Sequence, residues 1–307
     1  MISLDAALLR RLSRVEQLPS MPLIVAEALQ LLEQSETDAA SIARLIERDQ
    51  ALTARLLRVA NSPIYGFSRR ITTIRLAISL LGNEAIREIL LAATLYELLH
   101  TGSSVWAREL FWQYCLYSAC ATRIFARRLG YRLAGEAFTA GLLHDLGILL
   151  TAAFLPAEFH AIQRHQQHSG CAYVEAEHAV LGTTHAELGA WLAERWNLPS
   201  VLIHALAYHH CSGPLPAHEH PPLLAHSVLA QVSQPLTALV ALAEVAAHWA
   251  GLRQWSGEST LLSPLFLPEV VQHHLLAHSL IESTGKPSPE LAEEIDREYN
   301  ALAQALR

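Results

Sequence analysis

The sequence predicts an all-α protein, a multi-helix bundle with an N-terminal helical subdomain. Three observations carry that prediction. Apolar residues recur three and four positions apart through much of the 307-residue chain, the spacing that lines one face of a helix. No alternating apolar–polar run of useful length occurs, so strands have no signal. Gly, Pro and small polar residues separate the apolar segments and punctuate the helices.

Residues 1–14 read as an N-terminal extension and 15–102 as the N-terminal helical part. Within it, Ile42, Leu45 and Ile46 form an i, i+3, i+4 stripe. Leu52, Leu56, Leu57 and Val59 mark the next helix, which Asn61-Ser62-Pro63 ends because proline disfavours helix at the residue before it. Ile71, Ile74, Ile78 and Leu81 form a further stripe, broken at Gly82. The polar stretch His100-Thr101-Gly102-Ser103-Ser104 then precedes a helical core over 103–255. Its helices are expected at about 105–129, 135–153, 184–196, 199–210 and 234–250, with 211–222 as a loop. A second polar stretch, Ser256-Gly257-Glu258-Ser259, introduces a helical tail over 256–307. There Leu291, Ile295, Tyr299 and Leu302 keep helical spacing after Pro287 and Pro289.

Composition narrows the function. The net charge is −7, and every basic residue but Lys286 is arginine. Arg10-Arg11-Arg14, Arg69-Arg70 and Arg123-Arg127-Arg128-Arg132 read as solvated helix faces and ends, and an acidic chain without aromatic interleaving argues against nucleic acid. Half of the residues are hydrophobic, yet the best membrane candidate, Pro235 to Leu252, carries Thr237, Glu244 and His248 and reads as a core helix. The first residues show no secretory pattern, and Cys115, Cys120, Cys171 and Cys211 form no CxxC pair. A cytoplasmic location without membrane attachment is the expectation. No P-loop, dinucleotide fingerprint or Ser/His/Asp grouping is present.

The chemistry centres on His144-Asp145, set in Ala140-Gly141-Leu142-Leu143-His144-Asp145-Leu146-Gly147. The flanking leucines predict burial, and burying a carboxylate without a partner costs on the order of several kcal/mol. Adjacent helix residues point about 100° apart, so both side chains can reach one metal ion near a helix edge. The alternative is a buried hydrogen-bonded pair that caps or bridges neighbouring helices. Among the 17 histidines, His218-Glu219-His220 and His273-His274 read as exposed and adventitious.

A family resemblance rests on ordered motifs across residues 15 to 250. They begin with Leu18-Pro19-Ser20-Met21-Pro22, Ile46-Glu47-Arg48-Asp49-Gln50-Ala51-Leu52-Thr53 and Arg55-Leu56-Leu57-Arg58-Val59-Ala60-Asn61-Ser62. Ile74-Arg75-Leu76-Ala77-Ile78, Leu81-Gly82 and the His144-Asp145 segment follow. His185-Ala186-Glu187-Leu188-Gly189, Trp196-Asn197-Leu198-Pro199 and Ala207-Tyr208-His209-His210 complete the series. Together they resemble the HDOD module, a divergent branch of the HD phosphohydrolase superfamily found in bacterial signalling proteins. The resemblance implies a metal set of His144, Asp145, His185, His209, His210 and Glu244, intact or vestigial. Its cofactor would be a divalent transition metal such as iron, manganese, zinc or nickel. Where active relatives carry an upstream histidine, this chain aligns Tyr114, and where they carry a downstream aspartate it aligns Glu244. The Gly-Tyr-Pro signature of the cyclic-dinucleotide branch is missing after His209-His210.

The resemblance therefore implies a regulatory binding module acting through signalling protein partners, with no catalytic residue assigned. Because only about fifteen residues precede the module, a stand-alone protein with non-covalent partners is the expectation. A metal-dependent phosphohydrolase acting on a nucleotide or phosphoester is the alternative, and a pocket that binds a nucleotide without turnover is a third. Arg48-Asp49 and Arg55 read as residues that hold helix ends together, or as a recognition surface.

Overall fold

The computed structural model describes residues 21–34, 38–100, 108–210, 234–252, 274–276, 278–282 and 286–306. Among these the protein is all-α; an isolated antiparallel bridge joins Ile281 and Pro287. The extension 1–14, the basic cluster at its end, the polar stretch 256–259, all of the stretch 100–104 but His100, the loop 211–222 and the histidines of 218–220 lie outside the described residues.

The chain divides into two compact units, one spanning Ser20–Thr101 with Asp296–Arg307, the other containing Gly102–Ile295. In the first, α1 (Leu23–Glu33), α2 (Ala39–Ile46), α3 (Gln50–Ala60) and α4 (Ile74–His100) follow in order. Ile42, Leu45 and Ile46 are all buried, as their spacing predicts. Asp38 and Asp49 begin α2 and α3 by accepting hydrogen bonds from Ser41 N (2.6 Å) and Leu52 N (3.0 Å), which satisfies amides that a helix start leaves open. After α3, Asn61 pins the returning chain: its side chain donates to Ile71 O and accepts from Ile71 N, both at 2.8 Å. Arg55 donates to Glu97 (2.9 Å) and lies over the Tyr96 ring, tying α3 to α4. Helix α4 is broken at Gly82, whose φ of 81° and ψ of 168° suit glycine alone.

In the second unit α5 (Arg108–Arg128) is the central helix, buried over almost its entire middle. Helices α6 (Ala134–Leu143), α7 (Leu146–Phe154), α8 (Pro156–Ser169), α9 (Tyr173–Leu181), α10 (His185–Arg195), α11 (Ser200–Tyr208) and α12 (Pro235–Trp249) complete it. The single helix expected over 135–153 is two, with His144 and Asp145 at the break. His144 Nδ1 donates to the Gly141 carbonyl (2.8 Å), and Asp145 at φ −97°, ψ 21° leaves the helical region. Helices α1, α8 and α9 carried no clear sequence expectation; Gly170 and Gly182, at φ 67° and 71°, end the latter two.

Helix α6 lies against α5 because Gly141 has no side chain: a Cβ there would meet Thr122 Oγ1 at 2.2 Å. Gly147 in α7 likewise faces the His185 carbonyl and Gly189 N of α10. Among the described residues, the stretch long and apolar enough to cross a membrane is Ala134–Phe154 rather than Pro235 to Leu252, and 89% of its apolar window is buried within the protein. It is the core. The last helix, α13 (Pro289–Leu306), buries Leu291, Ile295 and Leu302; from Asp296 on it belongs with the N-terminal helices.

Candidate metal centre

The six residues expected at the centre come together in the second unit. His144 and Asp145 enter from the α6–α7 turn, His185 from the first position of α10, His209 and His210 from the end of α11, and Glu244 from the middle of α12. His144, Asp145, His185, His209 and Glu244 are all at most 3% exposed, so their charges have to be answered within the protein.

Three of the four histidines are oriented by their Nδ1. That atom donates to the Gly141 carbonyl in His144 (2.8 Å) and to the Leu206 carbonyl in His209 (2.7 Å). In His185 it donates to Glu177 Oε2 at 2.6 Å. With Nδ1 engaged in this way, the Nε2 atoms of all three rings turn inward, and each would offer a lone pair to a metal ion once its Nε2 proton is released. His185 Nε2 lies 3.0 Å from Asp145 Oδ1, 3.3 Å from His209 Nε2 and 2.9 Å from His210 Nε2. His209 Nε2 is 3.4 Å from Asp145 Oδ1. Bonds of about 2.0–2.2 Å to one ion would place neighbouring donors roughly 3.3 Å apart; these four separations lie near that spacing, and all four donors lie within 4.8 Å of one another. His144, Asp145 and Glu244 form a second group of donors, with Asp145 common to both.

Asp145 shows what the cluster lacks. Both of its oxygens are buried and neither accepts an aligned hydrogen bond, although ring nitrogens stand at 3.0–3.4 Å. It precedes α7 without capping it. Asp145 therefore does not cap α7, and it meets the His144 and His185 rings as close ionic pairs at 3.4 and 3.0 Å. A convergence of lone pairs on an orphaned carboxylate calls for positive charge, either protons on the rings or a metal ion, and the donor set fits the latter.

Electrostatics agree. Burial disfavours charge on His144, but Asp145 and Glu244 outweigh it and lift its pKa to about 10. Burial likewise opposes charge on His185, and Glu177 with Asp145 raises its pKa well above the usual value. Asp145 is held well below the ordinary carboxylate range because His144 and His185 overcome its burial. His210 is driven the other way, by burial and by the neighbouring His209, and stays neutral.

Tyr114 and Glu244 occupy the places that their sequence register implied. The Tyr114 hydroxyl is 3.0 Å from His144 Nε2 and donates to Glu244 Oε1 at 3.3 Å. A neutral phenol thus bridges the second donor group. Glu177 was absent from the sequence reading. Its signal was present: Tyr173, Ala176 and Glu177 form an i, i+3, i+4 stripe, all three are buried, and a carboxylate on such a stripe needs a partner.

The HDOD domain family profile matches residues 18–212, more than half of the chain. The chain belongs to the HDOD family. A solved HDOD domain protein of unknown function from Geobacter sulfurreducens is 26% identical, with a TM-score of 0.71 over 97% of this chain and 95% of that one. Two further structures share the HDOD fold, each at 23% identity. One, from Shewanella amazonensis SB2B and provisionally named a phosphohydrolase, has a TM-score of 0.67 and coverage of 99% of each chain. The other, from Marinobacter aquaeolei VT8 and provisionally named a signal transduction protein, has a TM-score of 0.64 over 99% of this chain and 62% of its own. An uncharacterized protein of Treponema pallidum (strain Nichols) is 25% identical over 221 residues, 72% of this chain. The HDOD chain described here spans 42% of that relative's length.

Proposed function

We propose that this HDOD protein is a regulatory component of signal transduction that works by binding protein partners, and that its second unit holds one divalent transition metal. Asp145, His185, His209 and His210 would hold the ion. The observation that carries the assignment is that His185 Nε2 stands 2.9–3.3 Å from Asp145 Oδ1, His209 Nε2 and His210 Nε2, beside a buried carboxylate that accepts no aligned hydrogen bond. A binding role is supported by Tyr114, whose hydroxyl engages His144 and Glu244 and leaves that half of the centre as a hydrogen-bonded bridge. Four protein donors, three of them buried and His210 only partly exposed, resemble a structural metal site more than one with an open position.

The second reading, a metal-dependent phosphohydrolase acting on a nucleotide or phosphoester, is favoured by the donor group His144, Asp145 and Glu244 beside the first. A bound divalent ion would supply Lewis acidity and a more acidic water. Elemental analysis of purified protein, with a phosphoester panel, separates the two. The binding reading expects about one equivalent of iron, manganese, zinc or nickel and no turnover. Turnover that disappears in Asp145→Ala would establish the enzyme reading, and a protein unable to take up any of these metals would overturn the metal centre altogether.

A further inference from the structure

The geometry points to Glu177 as a positioning residue for the metal centre, the group that presents His185 to the ion. This inference rests on the metal reading above. Glu177 lies in α9, eight residues before His185, and is fully buried. Its Oε2 accepts two hydrogen bonds from the same residue, from His185 Nδ1 at 2.6 Å and from the His185 backbone N at 3.0 Å. The first fixes the ring's tautomer and turns Nε2 toward Asp145, His209 and His210. The second anchors the backbone at the start of α10, so the ring can neither flip nor withdraw. His185 Nε2 lies within 3.3 Å of the other three donors, so the carboxylate behind it controls the donor that binds the set together. A carboxylate behind a ligating imidazole also strengthens it as a donor, and losing such a partner weakens metal affinity about 10–100-fold.

Glu177 is not needed merely to start α10. Thr184 accepts from Glu187 N and Glu187 accepts from Thr184 N, so a capping box already begins that helix. The two contributions can therefore be separated. Glu187→Ala removes the side-chain half of the capping box without touching the ring, while Glu177→Gln keeps an oxygen acceptor but removes the charge.

The experiment measures Co²⁺ affinity by chelator competition in the full chain, with thermal unfolding of the metal-free proteins alongside. Glu177→Gln is expected to bind Co²⁺ about 10–100-fold more weakly, and its metal-free form to unfold at lower temperature because His185 loses a buried counter-charge. Glu187→Ala is expected to bind as the parent does while unfolding at lower temperature. Parent-like affinity in Glu177→Gln, or equal weakening in Glu187→Ala, would overturn the inference while leaving the metal centre standing. A parent that binds no Co²⁺ would remove both. Nitrogen-15 spectra of the His185 ring in the unmodified, metal-loaded protein give a test that needs no variant: an Nδ1–H tautomer supports the inference and an Nε2–H tautomer overturns it.

Discussion

In the N-terminal unit Asp38, Asp49, Asn61 and Arg55 each answer a local need of the backbone, a helix start, a returning strand of chain or a neighbouring carbonyl. In the second unit Asp145, Glu177 and Glu244 are buried among imidazoles, and neither Asp145 nor Glu244 serves a helix end. Polar residues of the first kind are replaceable one at a time, because water can take over part of their hydrogen bonding. Those of the second kind depend on one another, since removing any one leaves the rest uncompensated in a medium that solvates charge poorly. The first unit is held by its polar groups; the second has to hold its polar groups.

Breaking that interdependence should have the largest effect. Asp145 is common to both donor groups, so Asp145→Ala is expected to abolish metal uptake, read by elemental analysis, whereas Asn61→Ala should leave it unchanged. Next come the two glycines that differ between the units. A Cβ on Gly147 would lie 2.0 Å from the His185 carbonyl oxygen, and backbone cannot move aside cheaply. Gly147→Ala should cost about 3 kcal/mol in chemical unfolding and loosen metal binding as well. At Gly82 a Cβ meets nothing within 4 Å, and the obstacle is φ alone. Gly82→Ala should cost about 1–2 kcal/mol with no change in the metal.

A third contrast lies in pH. In the metal-free protein His144 keeps its proton up to about 10, against 6.5 for an unperturbed ring. Between those values the folded state binds more protons than the unfolded chain, so stability falls as pH rises through that window. The contribution is fully present below 6.5 and lost above about 10. His144→Gln should flatten this part of the profile, measured as denaturation midpoint against pH. Substitutions in the N-terminal unit should not.

The smallest effects belong to that unit. Asn61→Ala loses a reciprocal pair of hydrogen bonds and should destabilise by about 1–2 kcal/mol. Glu97→Gln removes the partner of Arg55, but Glu97 is 40% exposed and solvent screens the pair. A few tenths of a kcal/mol at most is expected in urea unfolding. A large loss of stability there would mean that the two units are less different than their polar groups suggest.

Much of this was legible in the chain itself. The helical stripes, the stop at Asn61-Ser62-Pro63 and the break at Gly82 are local properties, set by side-chain spacing and by which backbone angles a residue tolerates. The six residues of the candidate centre, with Tyr114 and Glu244 in their register, followed from ordered motifs. The structure alone decided three other matters. It placed His144 and Asp145 at a break between α6 and α7 rather than on one continuous helix. It left Asp145 without a hydrogen bond, and it brought Glu177 behind His185. Each of these depends on how helices distant in sequence pack, as where Gly147 of α7 lets the His185–Gly189 backbone of α10 come close. Periodicity records which face of a helix is buried; only the packed structure determines which buried group that face will meet.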